Sequence, residues 1–282
     1  MLDPNTVLRG FSRALYSNWL LYKPDRILID CGEGCATALD GSVGSVEKLF
    51  LTHSHIDHVG GLPTLLWTRS AGGQKAKPLQ IFHSADDPFL APLQAYVEGV
   101  RGLLSFPIEW CPLEPFERVE LKSGWFLDTF PTKHLSNGQS LGFRVWERRT
   151  RLKEEFIGRP QSELDALAAR GEIGAAKEAF DVMRAAFCGD SLPVEADLVR
   201  GAEILVHEAT IFEGEESGPN HSTLGDALRV GSEAAPKLLL LNHLSRHHSK
   251  IQIETAIREH AQTLNISGAV WILIGDEMTQ VL

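Results

Sequence analysis

The stretch Thr52–Gly61, THSHIDHVGG, constrains this chain more than any other feature. It places His53, His55, Asp57 and His58 directly behind the apolar run Lys48–Thr52, KLFLT. Two histidines at i and i+2 in an extended segment point the same way, so His53 and His55 can share one metal ion. Asp57 and His58 come as the chain turns and can face a second. Neutral imidazole is the commonest transition-metal ligand. A carboxylate among three imidazoles suits Zn²⁺ or Mn²⁺ better than a thiolate site would. Gly60 and Gly61 let the backbone turn tightly without a Cβ clash. The ordinary alternative is a chance cluster in a solvated loop, since the chain has 11 histidines in 282 residues. Against it, a polar HxHxDH behind a buried strand has no packing purpose.

The surrounding pattern alternates short apolar runs with helical ones. Arg26–Asp30, Lys48–Thr52, Leu79–His83, Ser123–Pro131, Ser140–Val145, Ala186–Cys188, Glu203–Val206, Leu238–Leu241 and Val270–Ile274 read as strands. Gly61–Ser70, Pro88–Val100, Gln161–Phe180, Thr223–Ala235 and Ile251–Ala261 read as helices. Ser222 and Ser249 are candidate N-caps, with Ser222 the better start because Asp226 falls near the positive end of the dipole. This mixture predicts an α/β chain of two packed sheets with helices outside. There is no internal repeat and no long linker. The one composition shift, Glu147–Ala179, is charged and helix-prone. The expectation is therefore a single domain over 1–282 with a short helical insertion at about 147–180.

Composition limits the function classes. A high apolar fraction excludes disorder, and no apolar run approaches the roughly 18 residues of a membrane span. The first 15 residues lack the apolar core of a secretory signal, and four unevenly spaced cysteines make no disulfide framework. A cytoplasmic location is the resulting expectation. The net charge of −10 argues against broad nucleic-acid contact, which needs local positive charge.

HxHxDH resembles the signature of the metallo-β-lactamase fold, an αββα sandwich. Downstream, His134 in FPTKHLSNGQSLGFRV, Asp190 in FCGDS and His243 in LLLLNHLS look like that fold's later metal motifs, each behind a strand-like run. LVHEAT (Leu205–Thr210) and HST (His221–Thr223) are similar to motifs of ribonuclease Z, the tRNA 3′-processing endonuclease of this superfamily. The resemblance implies His53, His55 and His134 on one divalent ion, Asp57, His58 and His243 on a second, and Asp190 bridging them. Zinc is the first expectation for the two ions, with manganese or iron also compatible. It implies a hydrolase whose activated hydroxide attacks a phosphodiester, with Asp57 orienting or deprotonating it. Glu208 and His221 would return a proton to the leaving oxygen. Asp30 would support the metal loop without being a ligand.

Other groups read more plainly. His207 is expected to be structural, and His83 and His260 to be surface or core histidines. His247 and His248 are expected in a solvated loop. Cys31, Cys35 and Cys188 read as small buried hydrophobes.

Two departures from the family bear on substrate. The 147–180 insertion is short and lacks the Gly-Pro stretch of the arm that grips tRNA. The opening, MLDPNTVLRGFSRALYSNWLL, lacks the family's Gly-Thr-Gly turn, which predicts a short or absent first strand. The substrate expectation is thus a phosphodiester, either a tRNA 3′ end or other RNA. The alternatives are small phosphodiesters, lactones or other esters. The resemblance also suggests a homodimer in which one arm serves the other subunit's site. Two divalent ions would make the site net positive by about one charge, which suits an anionic substrate. Arg144, Arg148, Arg149, Arg151 and Lys153 form a basic run, and Arg246 and Lys250 follow the last metal motif; these are the candidate phosphate contacts.

Overall fold

Every second residue of the central strands faces a different core, and that alternation explains the layering. In Leu238–Asn242, Leu238 and Leu240 pack into one apolar cluster while Leu239 and Leu241 pack into another. A computed structural model describes residues 2–72, 77–212, 215 and 220–282. One sheet runs in the order β1 (Leu8–Arg13), β2 (Ser17–Tyr22), β3 (Ile27–Ile29), β4 (Lys48–Phe50), β5 (Leu79–Ser84) and β6 (Ile108–Leu113). The other holds β7 (Arg118–Lys122), β8 (Trp125–Thr132), β9 (Ser140–Leu152), β10 (Lys177–Phe187), β11 (Ile204–Glu208), β12 (Leu238–Asn242), β13 (Ala269–Ile274) and β14 (Glu277–Gln280), neighbours in that order. Leu20, Ile29, Phe50, Phe143, Phe187, Val206 and Leu240 fill the space between the sheets. The helices Cys35–Leu39, Leu62–Ala71 and Ala91–Val100 cover the first sheet's outer face. Leu224–Ala234 and Lys250–Ala261 cover that of the second. The result is the expected four-layered α/β arrangement.

β3, β4, β5 and β6 run parallel, and so do β10, β11, β12 and β13. Their carboxyl ends therefore deliver loops to a common rim, where ligands are usually bound in such sheets. Among the described residues no helix is long and apolar enough to cross a membrane.

Three expectations need correction. The first strand is neither short nor absent: Leu8–Arg13 pairs along its whole length with Ser17–Tyr22, and Ser12 bridges to Gly275 of the other sheet. Pairing between strands, which no turn motif foretells, holds it in place. The insertion is helical only in its middle. Gln161–Ala169 is a helix, but Arg148–Leu152 and Lys177–Asp181 are the outer ends of β9 and β10, paired with each other. Ala, Glu and Lys there favour a helix intrinsically, and cross-strand pairing overrides that preference. The helix-capping order is also reversed. Thr223, not Ser222, caps Leu224–Ala234, while Ser249 forms a full capping box with Gln252. The Ser222 hydroxyl instead donates to the Ser191 carbonyl at 2.8 Å.

Candidate metal centre

The loop after β4 carries the motif into the rim. Its course depends on close backbone contact with the loop after β3: Cys31 N–H donates to the His58 carbonyl at 2.6 Å and Gly61 N–H to the Cys31 carbonyl at 2.8 Å. Gly61 has ordinary φ, so the demand is for space rather than for a left-handed turn. A Cβ on Gly61 would lie 2.1 Å from the Gly32 carbonyl oxygen. Gly189 has a different need. It sits at φ +62, and a Cβ there would lie 2.7 Å from that of Thr52.

Two site residues lie in left-handed backbone that non-glycine residues rarely adopt. Asp30 follows β3 at φ 57 and His243 follows β12 at φ 54. Such conformations cost roughly 1–3 kcal/mol and persist where surrounding bonds impose them. Asp30 N–H donates to the Phe50 carbonyl at 2.8 Å, and His243 N–H to Ser12 Oγ at 2.7 Å.

The structure brings together every candidate metal ligand and the Glu208–His221 pair. Ligand-capable atoms of His53, His55 and His134 lie within 4.8 Å of one another, as do those of Asp57, His58, Asp190 and His243. Asp190 Oδ2 is 3.3 Å from His58 Nε2, 3.2 Å from His243 Nε2 and 3.9 Å from His134 Nε2, which places it between the groups. Asp57 Oδ2 is 3.2 Å from His243 Nε2.

A second ring of groups turns these histidines inward. His58 Nδ1 is 2.8 Å from Asp30 Oδ2, and His53 Nδ1 is 3.1 Å from Thr52 Oγ1, which itself bonds Asp30. His134 Nδ1 is 2.9 Å from the Asn220 carbonyl, and His243 Nδ1 is 2.8 Å from Thr210 Oγ1. Such partners orient the ring and free Nε2 for a metal. Thr52 and the Asn220 carbonyl carry no signal in the sequence as site groups. Thr210 could have been read from its place in HEAT, where its hydroxyl links Glu208 to His243.

The electrostatics suit a bound cation. His53 Nε2, His58 Nε2 and Asp190 Oδ1 are buried without a hydrogen bond, although buried polar atoms nearly always find one. Burial, reinforced by neighbouring imidazoles, holds His53 and His134 below the ordinary imidazole range and so keeps their lone pairs available. Burial also opposes charge on His58, but Asp190 and Asp30 overcome it and raise that pKa. Burial works against Asp190 as well, yet His243 and His58 hold its carboxyl well below the usual range. Divalent ions fit this donor set of imidazoles and carboxylates.

Beside the cluster, His221 Nδ1 is 2.7 Å from Glu208 Oε1, and Glu208 is fully buried. Burial disfavours the charged His221 ring, but the Glu208 bond and charge outweigh it and raise its pKa. Glu208 is itself fixed by the N–H groups of Ser191, at 2.8 Å, and Thr210, at 3.1 Å.

Other groups settle more simply. Asp30 supports the loop as expected from its position behind β3. His207 is buried, with Nδ1 2.8 Å from the Glu208 carbonyl, and His83 is buried against Trp110. Cys31, Cys35 and Cys188 are buried and unbridged. His248 lies on the loop after β12, as expected, but is half-buried there: its ring stacks on Phe212 at 3.9 Å and bonds Glu215 at 2.7 Å. The basic run is largely neutralised. Arg144 pairs with Asp128, Arg148 with Asp181, Arg149 with Glu147 and Arg151 with Glu178. Lys250 pairs with Glu277, and Arg246 bonds the Tyr16 hydroxyl.

Two packed mixed sheets with a His/Asp cluster at one rim define a metallo-β-lactamase-fold hydrolase. The comparisons agree. The metallo-β-lactamase fold protein YhfI of Bacillus subtilis superposes with a TM-score of 0.64 at 16% identity, over 97% of this chain and 99% of its own. Human tRNase Z, short form, superposes with a TM-score of 0.61 at 21% identity, over 85% and 93%. In sequence, the Ribonuclease Z of Enterococcus faecalis is 30% identical over 247 residues, covering 78% of this chain and 77% of that protein. The family model described as Anti-Pycsar protein Apyc1 matches residues 7–156, just over half of the chain. The chain belongs to that family and, with the ribonucleases Z, to the same metal-dependent hydrolases.

Proposed function

We propose that the protein is a phosphodiesterase that works with two divalent metal ions, zinc first among them. His53, His55 and His134 would hold one ion, Asp57, His58 and His243 the other, and Asp190 both. The observation that supports this best is the pairing of a cluster of orphaned ligand atoms with a dyad of buried Glu208 and half-buried His221 beside it. Bound ions would supply water activation and would offset charge on the phosphoryl oxygens.

The chain's own groups do the rest. Asp57, next to both His58 and His243, orients the attacking water and can take its proton. Glu208 holds His221 in one tautomer and keeps it protonated. His221, partly exposed beside the cluster, donates to the leaving oxygen, because an unprotonated ribose oxygen leaves poorly.

Ribonuclease Z, the name of the relative from Enterococcus faecalis, makes RNA with a 3′ trailer the first substrate to test. A small nucleotide diester is the second reading. It is favoured by the arm, whose arginines are tied to carboxylates and leave little free charge for a tRNA body. RNA processing would place the protein in the cytoplasm. A homodimer belongs to the same reading and is tested by sedimentation equilibrium.

The deciding experiment is a substrate panel on zinc-loaded protein: pre-tRNA with a 3′ trailer, bis-p-nitrophenyl phosphate and a lactone. Trailer removal supports the first reading. Cleavage of the small diester alone supports the second. Turnover of the lactone without either diester overturns the phosphodiesterase assignment.

A further inference from the structure

Phe89 is a large apolar side chain that the fold leaves 51% exposed. Its ring centroid lies 5.8 Å from that of His55. It lines a cavity of about 210 Å³ together with His55, His134, His221 and Leu135. One wall of that cavity is thus metal-ligand imidazoles and the proton-donor histidine, and another is an aromatic ring.

The ring is held in place. Ser54, inside the HxHxDH motif, donates its hydroxyl to Asp87 Oδ1 at 2.7 Å, and the same oxygen accepts the Phe89 N–H at 3.1 Å. The Asp86 carbonyl accepts the Gln139 N–H at 2.7 Å. Gly138 sits at φ 102, where a Cβ would lie 2.6 Å from both the Asp86 carbonyl oxygen and Pro88 Cδ. The turn that carries Phe89 is therefore tied to the loop of His53–His58 and to the loop after His134. A phenylalanine kept for packing would be buried, and one on a loose loop would not be braced from two sides.

We propose that Phe89 is the platform on which the nucleobase next to the scissile phosphate stacks. The proposal rests on the phosphodiesterase reading and deepens it: the substrate carries a base on the His55–His134 side of the metals. Base–aromatic stacking tolerates any base, because each has a π-face. Phe89 would therefore select nucleotides over base-free phosphodiesters without choosing among the bases.

The test is calorimetric, on zinc-loaded protein, with uridine 5′-monophosphate and ribose 5-phosphate as probes. The wild type should bind the nucleotide more tightly than the sugar phosphate by roughly 5- to 100-fold. Phe89→Ala and Phe89→Leu should erase that ratio, while Phe89→Trp should keep it; Phe89→Leu preserves apolar bulk and so separates stacking from packing. Equal weakening of both probes, or an unchanged ratio in Phe89→Ala and Phe89→Leu, would overturn the proposal. Wild-type hydrolysis of methyl p-nitrophenyl phosphate, which has no base, reports on the parent reading separately. Its failure would count against phosphodiesterase chemistry, whereas the stacking platform stands or falls on the binding ratio.

Discussion

The metal rim and the β9–β10 arm both concentrate charge, and they resolve it in opposite ways. At the rim, carboxylates and imidazoles are buried with atoms that accept or donate no hydrogen bond, among them Asp190 Oδ1 and His53 Nε2. On the arm, Arg148 lies directly across from Asp181 and Arg151 from Glu178, in register on the paired strands. Cross-strand pairs of this kind are satisfied locally and, being solvent-screened, contribute little to stability. Unbalanced buried charge calls for a ligand; balanced exposed charge does not. The contrast separates the region that performs chemistry from one whose role in gripping a substrate is weak.

The comparison can be broken most directly by removing metal. Exhaustive chelation should abolish hydrolysis and lower Tm, because an ion bound only by the folded state stabilises it; zinc or manganese should restore both. Full activity in chelator, with no metal found by elemental measurement, would break the account of the rim.

The next effect concerns the proton donor. His221→Ala or Glu208→Gln should slow a substrate with a ribose leaving oxygen by about 10²–10⁴-fold. A nitrophenolate leaving group needs little protonation and should suffer much less. Equal losses on both substrates would remove His221 from that role.

Asp30 tests the supporting ring. Asp30→Asn keeps the shape but weakens the hold on His58 and Thr52, and should cost about 10- to 100-fold in metal affinity or rate. Titration with zinc, read alongside kcat, distinguishes the two.

On the arm the effects should be small. Arg148→Ala should change the kcat/KM for a 3′-extended RNA by less than about threefold, since that guanidinium is already committed to Asp181. A large, salt-dependent loss would instead mark the arm as an RNA clamp and erase the contrast.

The smallest effect is a pH dependence of stability. Burial pushes Glu203 up, but Lys237 and Arg184 hold its pKa below the ordinary glutamate value. A depressed pKa adds stability above the unfolded value of about 4.3 and loses it as pH falls through the folded one. Glu203→Gln should therefore cost less than about 1 kcal/mol at neutral pH. Urea unfolding at neutral pH and near pH 3 should show the gap between the two proteins closing in acid.

Much of the fold was legible because short apolar runs such as LLLLN and KLFLT, bounded by turn residues, fit buried strands. The arm was not. Lys177–Asp181 has polar residues on both faces, so its alternation carries no signal and its composition suggests a helix. β1 was hidden for a related reason. Leu8, Gly10 and Ser12 face inward, but a glycine and a serine do not announce a core.

By itself the sequence determined which side chains can ligate metal, since imidazoles and carboxylates at these spacings have few other uses. It also set the layering, through the period of its apolar residues. Only the tertiary structure decided what those side chains are worth. Sequence spacing cannot say that Asp190 lies between two histidine groups, that Thr210 joins Glu208 to His243, or that Phe89 overlooks the cavity. Residues far apart in the chain meet only after the sheets pack. Nor can it say that the arm's arginines cancel against carboxylates across the strand. Charge counts add along a chain, but electrostatic fields depend on distance, and distance is set by the fold.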